Sequence, residues 1–181
     1  MSKDTTSRQR ILNAAAELAF EDGAAHISLD AVAARAGMSK GGLLYNFPSK
    51  AALMRALVED YLDGFRKELE HVGGKSNGHE LAARYLELGL KRLEEKPAPS
   101  SGLLAALAED PHLLEPVARF NRELLDRITD EAGDPAIILL IFLVLEGLRA
   151  QNVFGTMTMS KAERDLVVGR VASLLEAGKQ P

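Results

Sequence analysis

Nine consecutive residues, Ile137 to Leu145, are apolar, and no other feature of this 181-residue chain restricts its fold so strongly. Asp134-Pro135 stands just before them. That pair is an N-cap followed by a proline, which is tolerated in the first turn of a helix and not in an interior. The segment reads as a helix that runs to about Phe154 and is apolar on every face. A helix of that kind must be covered on every face. Either it lies at the centre of its own chain, or one side packs on the chain and another on a second copy. The sequence favours the second arrangement, because a further helix opens at the capping box Ser160-Lys161-Ala162-Glu163 and runs to about Ala177. It carries Leu166, Val167, Val171, Leu174 and Leu175 at similar spacing. Leu140, Val144, Leu166, Val167, Val171 and Leu174 are the expected contacts of a homodimer in which two helices per subunit build a four-helix interface. The longest apolar run, Ala136 to Leu145, falls short of the roughly 18–20 residues that a bilayer span needs, so no membrane partner is expected.

The rest of the chain is helical by the same kind of signal. Thr6-Ser7-Arg8-Gln9 has the capping-box form, Ile11, Leu12, Ala15, Leu18 and Ala19 share one face, and Gly23 marks a stop. Ser28 caps a short helix with Leu29, Val32, Ala33 and Ala36 on one side, and Gly37 suits the left-handed turn that ends it. Ser39 caps a third helix, which must finish by Phe47 because Pro48 follows. Ser49 caps a long fourth helix in which Leu53, Leu57, Tyr61 and Phe65 repeat at a four-residue stride. Beyond a loop at 71–78, helices are expected over about 80–95 and 102–109, and another from Pro116 or from Asp110-Pro111. No segment alternates with the period of a strand, aromatic residues are only 5%, and Trp is absent. The fold expected is all-α with about nine helices, a three-helix N-terminal helix-turn-helix head and a six-helix C-terminal body. The head is placed at 5–65, with its helix-turn-helix at 28–47, and the body at 66–181.

Several chemistries lack their residues. There is no Cys, and the four histidines (26, 71, 79 and 112) have no metal spacing. Gly74-Lys75-Ser76 ends like a phosphate-binding loop, but the glycine needed five positions earlier is Leu69. No nucleophile stands at a spacing that would pair it with a base. No catalytic residue, metal or cofactor is expected. Met1-Ser2-Lys3-Asp4 lacks the apolar run of a signal peptide, which points to the cytoplasm. The formal net charge of −4 looks unsuited to nucleic acid, yet its distribution is uneven. Residues 1–50 hold six Lys/Arg against five Asp/Glu, so the acidity lies in the body. Only charges near phosphates matter at physiological screening.

Two short helices joined by a Gly turn after a supporting helix make a helix-turn-helix candidate, whose second helix enters a major groove N-terminus first. Here that end is Ser39-Lys40-Gly41-Gly42. The stretch from Arg10-Ile11-Leu12 through Gly23, Ser28-Leu29, Val32-Ala33, Ala36-Gly37-Met38-Ser39-Lys40-Gly41-Gly42-Leu43 and Phe47-Pro48-Ser49-Lys50 to Leu53 resembles the DNA-binding head of the tetracycline-repressor (TetR) family. The resemblance covers roughly residues 5–65. It implies a homodimer, a palindromic double-stranded operator, and gain or loss of DNA on binding a small-molecule effector. It further implies that Ser28 and Lys50 reach phosphates, that Ser39, Lys40, Gly41 and Gly42 lie against bases or backbone, and that Tyr45 and Asn46 meet phosphate or a base edge. Three positions depart from the pattern. Leu44 stands where Tyr is usual, Asn46 where His or Tyr is commoner, and Leu18-Ala19 replaces a Leu-Phe pair whose Phe is displaced to Phe20.

The body has no comparable motif. Tyr61, Phe65, Tyr85, Leu103, Phe120, Asn121, Gln151 and Phe154 are the candidates for an apolar effector pocket with sparse polar handles. A second reading is a helical small-molecule-binding protein whose DNA-binding head has degenerated. The two readings part at Lys40, Tyr45 and Lys50, which a degenerate head would have lost and this chain keeps.

Overall fold

A computed structural model of the chain describes residues 6–22, 27–70, 77–95, 110–130 and 134–178. Among them are eight α-helices, one 3-10 turn and no strand, as the all-α expectation requires. The helices are α1 (Ser7–Asp22), α2 (Leu29–Arg35), α3 (Lys40–Asn46), α4 (Lys50–Glu70), α5 (Gly78–Glu95), α6 (Glu115–Asp130), α7 (Pro135–Val153) and α8 (Lys161–Ala177). The helix expected over 102–109 and the Gly23 stop lie outside the described residues, as does Leu103. The chain divides into two compact units, one of residues up to Gly64 with 99–118, the other of Phe65–Ala98 with everything from Arg119 onward. The α4 helix is unbroken through that division.

In the first unit the capped helices enclose one apolar core. Ile11, Leu12 and Ala15 from α1, Val32 and Ala33 from α2, Leu43 from α3, Phe47, and Leu53 from α4 are all buried. Each large side chain among them contributes about 1.5–3 kcal/mol relative to exposure. The α2 helix ends as its glycine predicts. Gly37 has φ +66°, its N–H donates to the Ala34 carbonyl (3.1 Å), and the Met38 N–H donates to the Ala33 carbonyl (3.0 Å). That is a Schellman turn, which satisfies the orphan carbonyls of the last helical turn. Arg10 of α1 secures it from outside by donating to the Ala36 carbonyl at 2.7 Å.

Two expectations need correcting here. Tyr61 does not continue the buried stripe of α4, being 48% exposed. A four-residue stride advances the helix face by about 40° per step, so two steps carry Tyr61 well away from Leu53. One step later Phe65 is buried again, now in the second unit, as is Leu69 one turn further on. Helix α6 begins at Glu115, within one residue of the Pro116 start, and Asp110-Pro111 opens a separate turn ahead of it. Asp110 accepts from the His112 N–H at 3.0 Å, and a 3-10 turn, Pro111–Leu114, leads into α6. Leu113 of that turn joins the core of the first unit rather than a C-terminal body. Arg55 of α4 holds the turn in place, 3.6 Å from Asp110 and 3.9 Å from Glu115.

In the second unit α7 packs on α5 and α8. Gly89 permits a close approach of α5 to α7, since an added Cβ there would lie 3.0 Å from both terminal carbons of Leu145. The inward side of α7 is Ile138, Ile141, Leu145 and Leu148, at helical spacing and all buried. Its other side is bare: Leu139, Leu140 and Leu143 are 44%, 46% and 65% exposed. Along α8, Leu166 and Val167 are likewise exposed, whereas Val171 and Leu175 are buried. Val171, expected between two copies, thus packs inside its own chain, because it falls on the same side of α8 as Leu175. Val144 and Leu174 are half-buried. The α7 helix is also longer than its apolar run. Pro135–Asn152 has the length and composition to cross a bilayer, because only Glu146 and Arg149 are charged beyond Leu145. Within this fold its inward side is committed to α5 and α8. The capping box at Ser160 is complete, with Glu163 accepting from the Ser160 N–H at 2.7 Å and donating its own N–H to Ser160 Oγ at 3.3 Å.

Candidate nucleic-acid interface and the polar cluster of the second unit

The outward surface of the first unit is built by its caps. Ser28 Oγ accepts from the Ala31 N–H and Ser39 Oγ from the Gly42 N–H, each at 3.1 Å, so both serines start their helices. Leu43, with Phe47 just after the helix, anchors α3 in the core. Lys40, Gly41, Leu44 and Tyr45 are left facing outward. Tyr45 is 91% exposed, which forgoes the large burial an aromatic ring ordinarily obtains. The two glycines cost about 1 kcal/mol each relative to Ala in a helix. Nothing among the described residues requires them, since an added Cβ would meet only Ser39 Oγ, at 4.0 Å from Gly41 and 3.4 Å from Gly42. They leave bare backbone on the N-terminal half of an exposed helix, as a close-lying phosphate chain would demand.

The charges around α3 are arranged to be released or retained. Lys40 Nζ lies 3.0 Å from Asp30 with both side chains largely in water, a pair of small worth that a phosphate can displace. Arg35 differs. It contacts Glu17 (3.3 Å) and Glu21 (2.7 Å), joining α2 to α1 and holding the Glu21 carboxyl below its ordinary range through hydrogen bonding. The Asn46 amide donates to the Gly42 carbonyl at 2.9 Å, so its N–H side is engaged within α3. Lys50 sits in the first turn of α4, which Ser49 opens by accepting from the Ala52 N–H at 3.0 Å.

The second unit gathers three of the expected pocket residues into one aromatic cluster. Phe65 meets Tyr85 and Phe120 edge-on, at 6.2 and 5.8 Å between centroids, and Tyr85 stacks on Phe142 at 6.1 Å. The cluster has a charged centre that composition did not reveal. Glu146 accepts from the Tyr85 hydroxyl (3.1 Å), from Arg149 (2.6 Å) and from the Asn121 amide (3.2 Å). Burial keeps the Tyr85 phenol far above its ordinary pKa, so it remains a donor. Glu146 and Arg149 are the only charged residues of α7, three apart on a mostly apolar helix, and that spacing was the available signal. Gln151 and Phe154 lie farther along. Gln151 Oε1 is buried without a hydrogen-bond partner among the described residues, and Phe154 is 41% exposed at the end of α7. A cavity of about 40 Å³ adjoins the cluster at Phe120, and a groove of about 330 Å³ runs between α5, α7 and α8, floored by Leu90, Leu148 and Val168. No group of three His, Asp or Glu able to hold a metal occurs among the described residues.

Family comparison resolves what these two surfaces belong to. Residues 11–57 match the model of bacterial regulatory proteins of the tetR family, and residues 79–176 match a tetracyclin repressor-like C-terminal domain. The chain belongs to the TetR family. Among curated protein sequences, none matches it. Solved structures share the fold at low identity. A TetR-family transcriptional regulator from Streptomyces coelicolor is 16% identical with a TM-score of 0.70, each chain covered to 96%. A transcriptional regulator from Rhodococcus sp. Rha1 is 20% identical with a TM-score of 0.69, over 97% of this chain and 100% of the other. The multidrug binding protein EbrR, complexed with ethidium, is 22% identical with a TM-score of 0.67, over 92% of this chain and 98% of its own. The TetR-type head of this chain is the segment that presents α3, and the helix-turn-helix is α2, the Gly37 turn and α3.

Proposed function

We propose that the chain is a homodimeric transcriptional regulator, a repressor, that grips a palindromic DNA operator through α3 and changes its affinity when a small-molecule effector enters the second unit. The observation that carries the DNA reading is the outward half of α3, where Gly41, Gly42 and Tyr45 forgo stability or burial for which the chain itself offers no return. Lys40 and the first-turn amides supply positive potential there, and Ser28, Ser39, Asn46 and Lys50 border the same surface. A degenerate head would have no reason to keep a tyrosine 91% exposed beside two unneeded helical glycines.

The homodimer reading rests on the bare side of α7 and α8. Leu139, Leu140, Leu143, Leu166 and Val167 leave apolar surface in water at a cost of about 25 cal/mol per Å², which a second copy of the same two helices removes. The effector reading rests on the cluster of Phe65, Tyr85, Phe120 and Asn121, and a fold relative described as a multidrug binding protein complexed with ethidium supports it. The chain acts by binding rather than by catalysis, in the cytoplasm, with no cofactor.

Selection from random duplex DNA tests this function. The expected product is a palindrome whose half-sites are centred about 34–36 Å apart, one helical turn, or a multiple of it. Failure to enrich any sequence, or enrichment of a single asymmetric site bound by one chain, would refute it.

A further inference from the structure

We infer that the Arg149 guanidinium occupies, within its own chain, the seat of a cationic effector head group. The inference rests on the effector reading above and names the chemistry of that site. Arg149 Cζ lies 5.2 Å from the centroid of the Phe65 ring and 5.3 Å from that of Tyr85. Its Nη1 is 2.6 Å from Glu146 Oε1 and 3.4 Å from the Tyr85 hydroxyl. Two aromatic rings and a carboxylate around one guanidinium form a box for a delocalised or quaternary organic cation. Gly89 keeps one side of it open, since a Cβ there would come within 3.3 Å of Arg149 Nη2.

The walls of this box are fixed, and its occupant is not. Phe65 and Tyr85 are 2% and 1% exposed. Glu146 is tied by the Tyr85 hydroxyl and the Asn121 amide as well as by Arg149. Arg149 stands on a long side chain about one turn from the end of α7, a quarter exposed, and can swing into water with its charge intact. Exchange of Arg149 for an external cation leaves every donor to Glu146 matched. Exchange of Glu146 for an external anion would instead require a carboxylate held by Tyr85, Asn121 and Arg149, on a shorter side chain, to be expelled from its part-buried place. Arg92, whose Cζ is also 4.9 Å from the Phe65 centroid, is already paired with Glu68 at 2.6 Å and need not move. The seat therefore takes an organic cation with a flat or compact charged head and an apolar body, and it discriminates against anions.

Calorimetric titration of the full chain with benzamidinium and with benzoate, two flat ions of matched size and opposite charge, tests this. Benzamidinium should bind and benzoate should not. Arg149→Met should tighten benzamidinium by about tenfold or more, because the internal competitor fills the seat most of the time. Glu146→Gln should weaken it by a similar factor. Benzoate binding more tightly than benzamidinium, or a benzamidinium affinity unmoved by Arg149→Met, would overturn the inference. Should Arg149→Met fail to fold, the wild-type Arg149 Nε–H resonance provides the readout: benzamidinium must move it towards that of a solvated arginine, and an unmoved resonance overturns the inference equally. The effector reading is judged separately, by the affinity for selected duplex DNA. Benzamidinium bound in the seat with no change in DNA affinity would remove the effector role and leave the seat in place.

Discussion

The two units of this chain keep their apolar residues in opposite ways. In the first, most large side chains of α1, α2, α3 and early α4 turn inward, and among the exceptions, Leu44, Tyr45 and Tyr61, Tyr45 is by far the most exposed, an amphipathic ring aimed at solvent. In the second, whole rows of leucine stay outside, along Leu139, Leu140 and Leu143 of α7 and Leu166 of α8. A unit that closes its own core can expose short polar-capped helices to a charged partner. A unit that leaves leucines bare exposes apolar surface that, on the proposed reading, a second copy covers. The contrast teaches that exposure has to be read by chemistry: bare backbone and a lone phenol suit nucleic acid, while a contiguous aliphatic strip suits a second copy.

The sharpest way to break this contrast is to place the same charge on either side of the α7–α8 pair. Val171→Glu buries an unpaired carboxylate within the chain, which costs several kcal/mol, and the protein should lose its cooperative thermal transition. Leu140→Glu, on a side chain already 46% exposed, should leave each chain folded and sediment as a monomer. If both variants unfold alike, or if Leu140→Glu remains dimeric, the division between inner and outer leucines is misplaced.

A smaller effect separates α3 from the start of α4. Lys50→Ala should weaken binding to all DNA sequences alike and reduce the slope of log affinity against log salt by about one per subunit. An altered base preference with an unchanged slope would mean that Lys50 reads bases. Within the second unit, Tyr85→Phe removes one donor to Glu146 and should cost about 1 kcal/mol in chemical denaturation. A loss of several kcal/mol would show that the hydroxyl supports far more than Glu146.

The smallest effect belongs to the α8 cap. Hydrogen bonds from Ser160 hold the Glu163 carboxyl below its ordinary range. A depressed folded-state pKa contributes stability that is present above the unfolded value and fades as pH falls through the folded one. Acid should therefore fray α8 only below the usual carboxylate range, and Ser160→Ala should weaken that dependence without removing it, because the backbone N–H of residue 160 still donates to Glu163. Helicity measured against pH in both proteins decides the point.

How much was legible in the residues differs between the units for a physical reason. The head depends on local rules, a hydroxyl residue before each helix, a glycine where the backbone turns left-handed, a proline where a helix must stop, and Thr6, Ser28, Gly37, Ser39 and Pro48 each state theirs in sequence. The body depends on which side of a helix meets which neighbour, and spacing alone is ambiguous there. Tyr61 and Phe65 share a four-residue stride, yet one is half exposed and the other buried. Val171 and Val167 share another, with the same outcome. Glu146 and Arg149 escaped notice because two charges of opposite sign on a greasy helix look like interruptions until Tyr85 and Asn121 are brought against them.

On the proposed function one molecule couples a small-molecule site to a DNA site, and reciprocal titration decides whether it does. Any compound that raises the melting temperature of the chain is titrated by calorimetry with and without the selected operator duplex. If the compound weakens operator binding by some factor, the operator complex must bind the compound more weakly by the same factor. Matching factors different from one are the predicted result, and equal compound affinity with and without DNA would contradict the account.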